Sequence, residues 1–108
     1  MIPPHVDKLL PAEGATFQEG VITLQGSLLG LLFERTPPTV VEVDTGKAIS
    51  VTWTEEVVDE WYAEEPCVGG DVQTLVTLTL ASFSPGKRYR LRYAHSLHAS
   101  TEAILIAE

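Results

Sequence analysis

The sequence predicts an all-β fold, an antiparallel β-sandwich of about seven strands, and three segments near its C-terminus carry most of that prediction. Residues 72–80 alternate apolar and polar side chains, and residues 88–93 alternate aromatic or aliphatic side chains with arginines. Residues 101–107 form a third, apolar-rich segment. A side-chain period of two is typical of half-buried antiparallel strands, and turn residues at short spacing between such strands favour a sandwich.

Two further strands are predicted in the N-terminal quarter, at residues 5–10 and 21–25. Residues 11–16 between them contain proline, which fixes φ, and glycine, which accepts a positive φ, so they predict a turn. Ile22 and Leu24 lie on one face of the second strand, because side chains two residues apart in a strand point the same way.

Glycines then mark an irregular segment. Gly26 and Gly30 interrupt the apolar run that follows the second strand, which predicts a bulge or a bend instead of one straight strand. Further along, residues 39–43 and 47–54 predict a hairpin across Asp-Thr-Gly at residues 44–46, a favourable turn sequence.

The segment at residues 55–65 departs from the strand pattern and predicts one short amphipathic helix inserted between strands. Thr54 is suited to cap its start, acidic residues in the first turn suit the helix dipole, and Pro66 ends it. The apolar residues of the segment share a helical stripe about 140° wide. They are Val57, Val58, Trp61 and Tyr62.

Two uses of this stripe remain open at the sequence level. The stripe packs against the sheet as a lid on the core, or Trp61 or Tyr62 stays exposed within a ring of acids as a docking site. The acidic residues that would form the ring are Glu56, Asp59 and Glu60.

Length, charge and cysteine content limit the classes of function that the chain can have. A chain of 108 residues is expected to form one domain, and a net charge of −8 argues against nucleic acid or an anionic membrane as the main partner. No basic segment followed by an apolar one opens the chain, so no signal peptide is expected. The single cysteine, Cys67, fits a reducing compartment or an exported bacterial module without disulfides, which leaves the compartment open.

Charge is segregated along the sequence. Residues 48–86 hold seven acids and no lysine or arginine, whereas residues 87–92 hold four of the seven positive charges. Arg88, Arg90 and Arg92 share one strand face, which is the solvent face if the residues between them are core. This basic ridge either pairs with acids on a neighbouring strand or forms a patch for an anion or an acidic partner.

Two turn motifs frame the chain. The first is Pro-Ala-Glu-Gly-Ala-Thr at residues 11–16, and the second is Phe-Ser-Pro-Gly-Lys-Arg-Tyr at residues 83–89. Both resemble motifs of bacterial immunoglobulin-like domains of the S-layer type and, more loosely, of CopC-like copper carriers. The resemblance covers both ends of the chain but not residues 55–65. It implies an Ig-like sandwich with structural or binding roles, often in tandem arrays, and places Tyr89 as a tyrosine corner.

The looser resemblance implies a metal site. In CopC-like carriers an N-terminal histidine joins a histidine and an acid of the last interstrand loop to hold copper. The corresponding residues here are His5, His95 and His98, although residues 94–98 contain no aspartate. Imidazole ligands suit copper or zinc, so the resemblance implies a metal-binding pole of the sandwich.

Catalysis is not expected, because the sequence contains neither a Gly-x-Ser-x-Gly elbow nor a glycine-rich phosphate loop. We therefore expect a non-enzymatic protein-interaction or structural module without a cofactor, which binds a protein partner or neighbouring domains. Self-association stays open. The alternative is a carrier of copper or zinc. The expected partner-binding residues are Trp61, Tyr62, Glu56, Asp59, Glu60, Arg88, Arg90 and Arg92.

Overall fold

The computed structural model describes residues 3–61 and 71–108, and within them the chain forms strands joined by turns and one short helix. The predicted all-β class is confirmed. The elements are β1 (His5–Leu10), β2 (Thr16–Phe17), β3 (Val21–Ser27), α1 (Leu29–Arg35), β4 (Thr39–Glu42), β5 (Ala48–Ile49), β6 (Val51–Trp61), β7 (Asp71–Leu80), β8 (Arg88–Ser96) and β9 (Ala99–Ala107). No helix in the described residues is long and apolar enough to cross a membrane.

The described strands form one mixed sheet of nine strands, which is arranged as two layers around a shared core. One layer has the antiparallel order β1-β3-β7-β6, and the other contains β2, β9, β8, β4 and β5 in that order. The pair His5↔Ser96 joins β1 to β8, and β2 runs parallel to β9. In an Ig-type sandwich the first, second, fifth and fourth main strands likewise form one sheet.

The core confirms the predicted period of two. Ile22 and Leu24 of β3 are buried together with Val76 and Leu78 of β7, while the residues between them are less buried. Residues from the second layer belong to the same hydrophobic cluster, so the two inner faces pack against each other. The contributors from that layer include Phe17, Val40, Tyr89, Leu91 and Leu105.

The tyrosine corner is present as predicted. Tyr89 is 1% exposed, and its phenol oxygen accepts a hydrogen bond from the backbone N–H of Ser84 at 2.7 Å. The ring of Tyr89 also packs edge-on against Phe17, with ring centres 5.8 Å apart. The corner before β8 is thus tied to the core by both a hydrogen bond and an aromatic contact.

Replacing Tyr89 with phenylalanine removes this hydrogen bond but keeps the ring. We expect Tyr89→Phe to lower the free energy of unfolding by about 0.5–1.5 kcal/mol, as measured by urea denaturation. Tyr93→Phe is the matched control, because Tyr93 is only half-buried and lies on the same strand. Equal stability of the wild type and Tyr89→Phe would contradict the role given to the corner.

The structure corrects the prediction for the segment after β3. Residues 29–35 form the helix α1 where a bulge or bend was expected. Leu29, Leu32 and Phe33 have helical spacing and are buried in the core, and Phe33 contacts Trp53 edge-on with ring centres 6.1 Å apart. Core burial therefore stabilises a helix that would be marginal on its own at this length.

Strands of the first layer cap the start of α1. Leu28, in the left-handed region at φ 51°, provides no side-chain cap of its own. The N–H of Leu29 instead donates to Oγ1 of Thr74 at 3.1 Å, and the N–H of Gly30 donates to the carboxylate of Glu55. A Cβ at position 30 would overlap that carboxylate, so the glycine leaves room for the cap.

The predicted helix at residues 55–65 is wrong over residues 55–61, which belong to β6. This strand pairs antiparallel with β7 from Val51↔Leu80 to Trp61↔Asp71. A bulge lies between Val57 and Asp59, and residues 54–59 are exposed on both faces of the strand. Two adjacent exposed valines are therefore compatible with a strand here, although in the sequence they mimic a helical stripe. Residues 62–65 lie outside the described part of the chain.

Loss of the Glu55 carboxylate should weaken α1 because it leaves the N–H of Gly30 without its partner. We expect Glu55→Ala to lower the free energy of unfolding by about 0.5–2 kcal/mol, the usual range for a lost helix cap. The control Glu56→Ala removes the same group from the next, exposed position and should change stability by less than about 0.5 kcal/mol. Equal effects of the two substitutions in urea denaturation would contradict the cap.

Candidate functional site

The residues expected to bind a partner fall on two separate surfaces. Glu56, Asp59 and Glu60 belong to β6 in the first layer, whereas the basic ridge of Arg88, Arg90 and Arg92 belongs to β8 in the second. The structure therefore does not bring the two predicted groups together on adjacent strands. The side chain of Trp61 and the whole of Tyr62 lie outside the described residues.

The first surface is the outer edge of β6, which is the side of the strand that faces away from β7. β6 lies at one end of the strand order and pairs with β7 alone among the described strands. It is 11 residues long, whereas the short strands β2 and β5 have two residues each. Within the described part of the chain, β6 thus presents a long row of backbone donors and acceptors that no other strand satisfies.

The side chains of β6 give this edge an apolar and acidic character. Val57 is 54% and Val58 45% exposed, which is unusual for two neighbouring valines. Glu56 and Asp59, on either side of them, are exposed acids. Glu55 differs from them because its carboxylate holds the start of α1 and belongs to the fold.

The basic ridge faces solvent, as predicted, and its cations pair with neighbouring acids. Arg90 and Arg92 lie 3.7 and 3.8 Å from the carboxylate of Glu102 on β9, and Arg88 lies 3.3 Å from that of Asp44. These arginine side chains are 45–65% exposed, so each pair contributes at most about 1 kcal/mol. Of the two interpretations left open by the sequence, pairing is the one that these contacts favour.

A small cleft lies beside Arg92. It has a volume of about 180 Å³, and Pro37, Tyr93 and Ser100 contribute to its lining. Burial raises the pKa of the Tyr93 phenol above its usual 10.0, and the negative charge of Glu13 adds to the shift. The phenol therefore stays neutral at physiological pH, and the cleft combines neutral hydroxyls with one guanidinium that is already near Glu102.

At the predicted histidine pole, the structure brings the ends of two strands together. The pair His5↔Ser96 places the start of β1 beside the end of β8, close in sequence to His95 and His98. Both ring nitrogens of His5 are engaged, however, because Nδ1 lies 2.8 Å from the carbonyl oxygen of Pro3 and Nε2 lies 2.9 Å from the carboxylate of Asp7. Both ring nitrogens of His5 are therefore already within hydrogen-bonding distance of an oxygen atom.

The other two histidines, His95 and His98, lie at the hairpin between β8 and β9. Nδ1 of His95 lies 3.2 Å from the carbonyl oxygen of Ala99 across the hairpin. Among residues 3–61 and 71–108, no group of three or more His, Cys, Asp or Glu side chains is arranged to hold a metal ion.

Sequence reasoning missed the edge of β6 as a feature of the backbone. The alternation of Val51 and Trp53 with threonines is interrupted by a glutamate at position 55, but Val57 returns to the same parity, which is a signal for a strand that runs past residue 54. The position of that strand at an edge had no local signal, because strand order depends on contacts between distant segments.

No protein-family model, curated protein or solved structure matches the chain. Functional inference consequently starts from the surfaces described above.

Proposed function

We propose that this domain is a non-catalytic protein-interaction module that binds its partner through β6. The observation that carries the proposal is the combination of an 11-residue edge strand with two adjacent exposed valines. A long edge with exposed apolar side chains pairs readily with other chains, and natural domains usually shorten or cover such edges. Here the edge is long, which supports its use as a contact surface.

The acids of β6 suit the rim of such a surface. Glu56 and Asp59 flank the exposed valines Val57 and Val58 on the same strand. An interface commonly has an apolar centre that loses its water on binding and a polar rim that stays hydrated. Val57 and Val58 would supply the apolar centre, and the carboxylates of Glu56 and Asp59 would supply the polar rim.

The surface can be tested with a substitution that changes polarity but keeps the β-branched shape. We expect Val57→Thr combined with Val58→Thr to weaken binding of the partner by about tenfold, because each hydroxyl replaces a methyl group worth about 0.8 kcal/mol when buried. The measurement is titration calorimetry with a partner first recovered on the immobilised domain and then purified.

The matched control changes two other exposed side chains, Leu31→Gln and Leu97→Gln, which are 60% and 41% exposed in the wild type. This control should bind the purified partner as the wild type does. Unchanged affinity of the valine variant, or an equal loss in the leucine control, would count against β6 as the contact surface.

The second candidate function is a metal carrier at the histidine pole. It is supported by the pairing of His5 with Ser96, which brings the start of β1 to the hairpin that contains His95 and His98. The contacts of His5 oppose it, because both ring nitrogens lie next to oxygen atoms of Pro3 and Asp7. At least one of these contacts has to break before the ring binds a metal.

We expect weak or no specific binding when Cu(II) or Zn(II) is titrated into the domain, since residues 3–61 and 71–108 contain no group of three ligands placed to hold a metal. Calorimetry with the wild type and His98→Ala provides the test. Tight binding of one metal per chain that is lost in His98→Ala would make the carrier the better description.

A further inference from the structure

We infer that the partner segment is a basic, extended peptide that adds to β6 as a further strand. This inference rests on the proposed function and specifies its partner. Three properties of β6 lead to it, and they concern the backbone, the charge and the apolar side chains of the strand.

The backbone determines the conformation of the partner. In a strand, about half of the residues direct their N–H and C=O groups to each side, and β6 uses one side for β7. Pairing is regular from Val51↔Leu80 to Val57↔Thr74, where the bulge begins. An extended segment of similar length satisfies the outer side of this regular part with main-chain hydrogen bonds.

The charge determines which strand binds. Glu56 lies in the regular part of β6, on the opposite face from Glu55, whose carboxylate caps α1. Asp59 lies just beyond this part, and no lysine or arginine occurs between residues 48 and 86. A second copy of β6 would place carboxylates opposite carboxylates, which destabilises a strand pair. Lysine or arginine on the incoming strand converts the same positions into favourable cross-strand pairs.

The exposed valines of β6 determine which residues should alternate with the basic residues in the partner peptide. Val57, 54% exposed, is on the opposite face of the strand from Glu56, because neighbouring residues before the bulge alternate. An added strand therefore faces an acid on one side of the sheet and an apolar side chain on the other. This arrangement is complementary to a peptide in which basic and apolar residues alternate.

Three synthetic peptides of about ten residues, with both ends blocked, test the inference on the full chain. One alternates lysine and valine, one alternates glutamate and valine, and one keeps the lysines but has proline in place of alternate valines. We expect the lysine–valine peptide to bind at least tenfold more tightly than either of the others by fluorescence anisotropy. The proline peptide has the same charge but lacks the backbone N–H at each substituted position and is a poor strand former, so it separates strand addition from charge attraction.

A pair of charge reversals tests the position of the peptide. Glu56→Lys should weaken binding of the lysine–valine peptide about fivefold or more, because an opposite-charge pair becomes a like-charge pair. Glu108→Lys changes the net charge equally at an exposed site at the end of β9, in the other layer, and should alter binding less than twofold. Hydrogen exchange should show slower exchange of the amides in residues 51–57 when the peptide is bound.

Equal affinity for the lysine–valine and proline peptides, equal effects of the two charge reversals, or absence of binding would each overturn strand addition. In each case, calorimetry of the purified partner with the variant that carries Val57→Thr and Val58→Thr decides separately whether β6 is a contact surface. If the valine variant still loses the partner, only the nature of the partner is wrong. If it retains the partner, the proposed function fails as well.

Discussion

The hydrogen bonds that cap α1 attach the crossover between the two layers to the first layer. α1 lies between β3 of one layer and β4 of the other, so its position sets where the chain crosses. Its own N-cap residue, Leu28, contributes no side-chain bond, and Thr74 and Glu55 from the first layer accept the N–H groups instead. The cap stabilises the helix only when β6 and β7 are already in place, so the crossover depends on contacts between segments far apart in sequence.

This dependence explains which elements the sequence predicts correctly. β3, β7 and β8 each bury one face, so a period of two is visible in their composition, and the tyrosine corner is a local motif with a known partner. α1 depends on caps from β6 and β7, and glycine at position 30 is there to admit one of them. In the sequence the same glycine indicates only a break in the strand pattern.

The candidate site was harder to predict than the core for a related reason. The solvent-facing ridge of arginines follows from alternation, and the sequence predicts it. The helix assigned to residues 55–65 followed from apolar residues at helical spacing, and two of them, Val57 and Val58, equally fit a strand that is exposed on both faces. A strand and a helix expose different surfaces, so that single misassignment replaced a backbone edge with an aromatic docking stripe. Local periodicity does not distinguish the two where a strand has little contact with the core.

The carboxylates of β6 have consequences for assembly as well as binding. An exposed edge of 11 residues is a hazard for pairing between copies, and charged side chains along it are a common protection. Protection by charge differs from protection by shortening, as in β2 and β5, because it opposes like-charged strands but keeps a long backbone edge that can pair with other strands. Under the proposed function, the carboxylates that would repel a second copy of β6 would also favour a cationic strand. Specificity at this edge would come from repulsion of the wrong partner as much as from attraction of the right one.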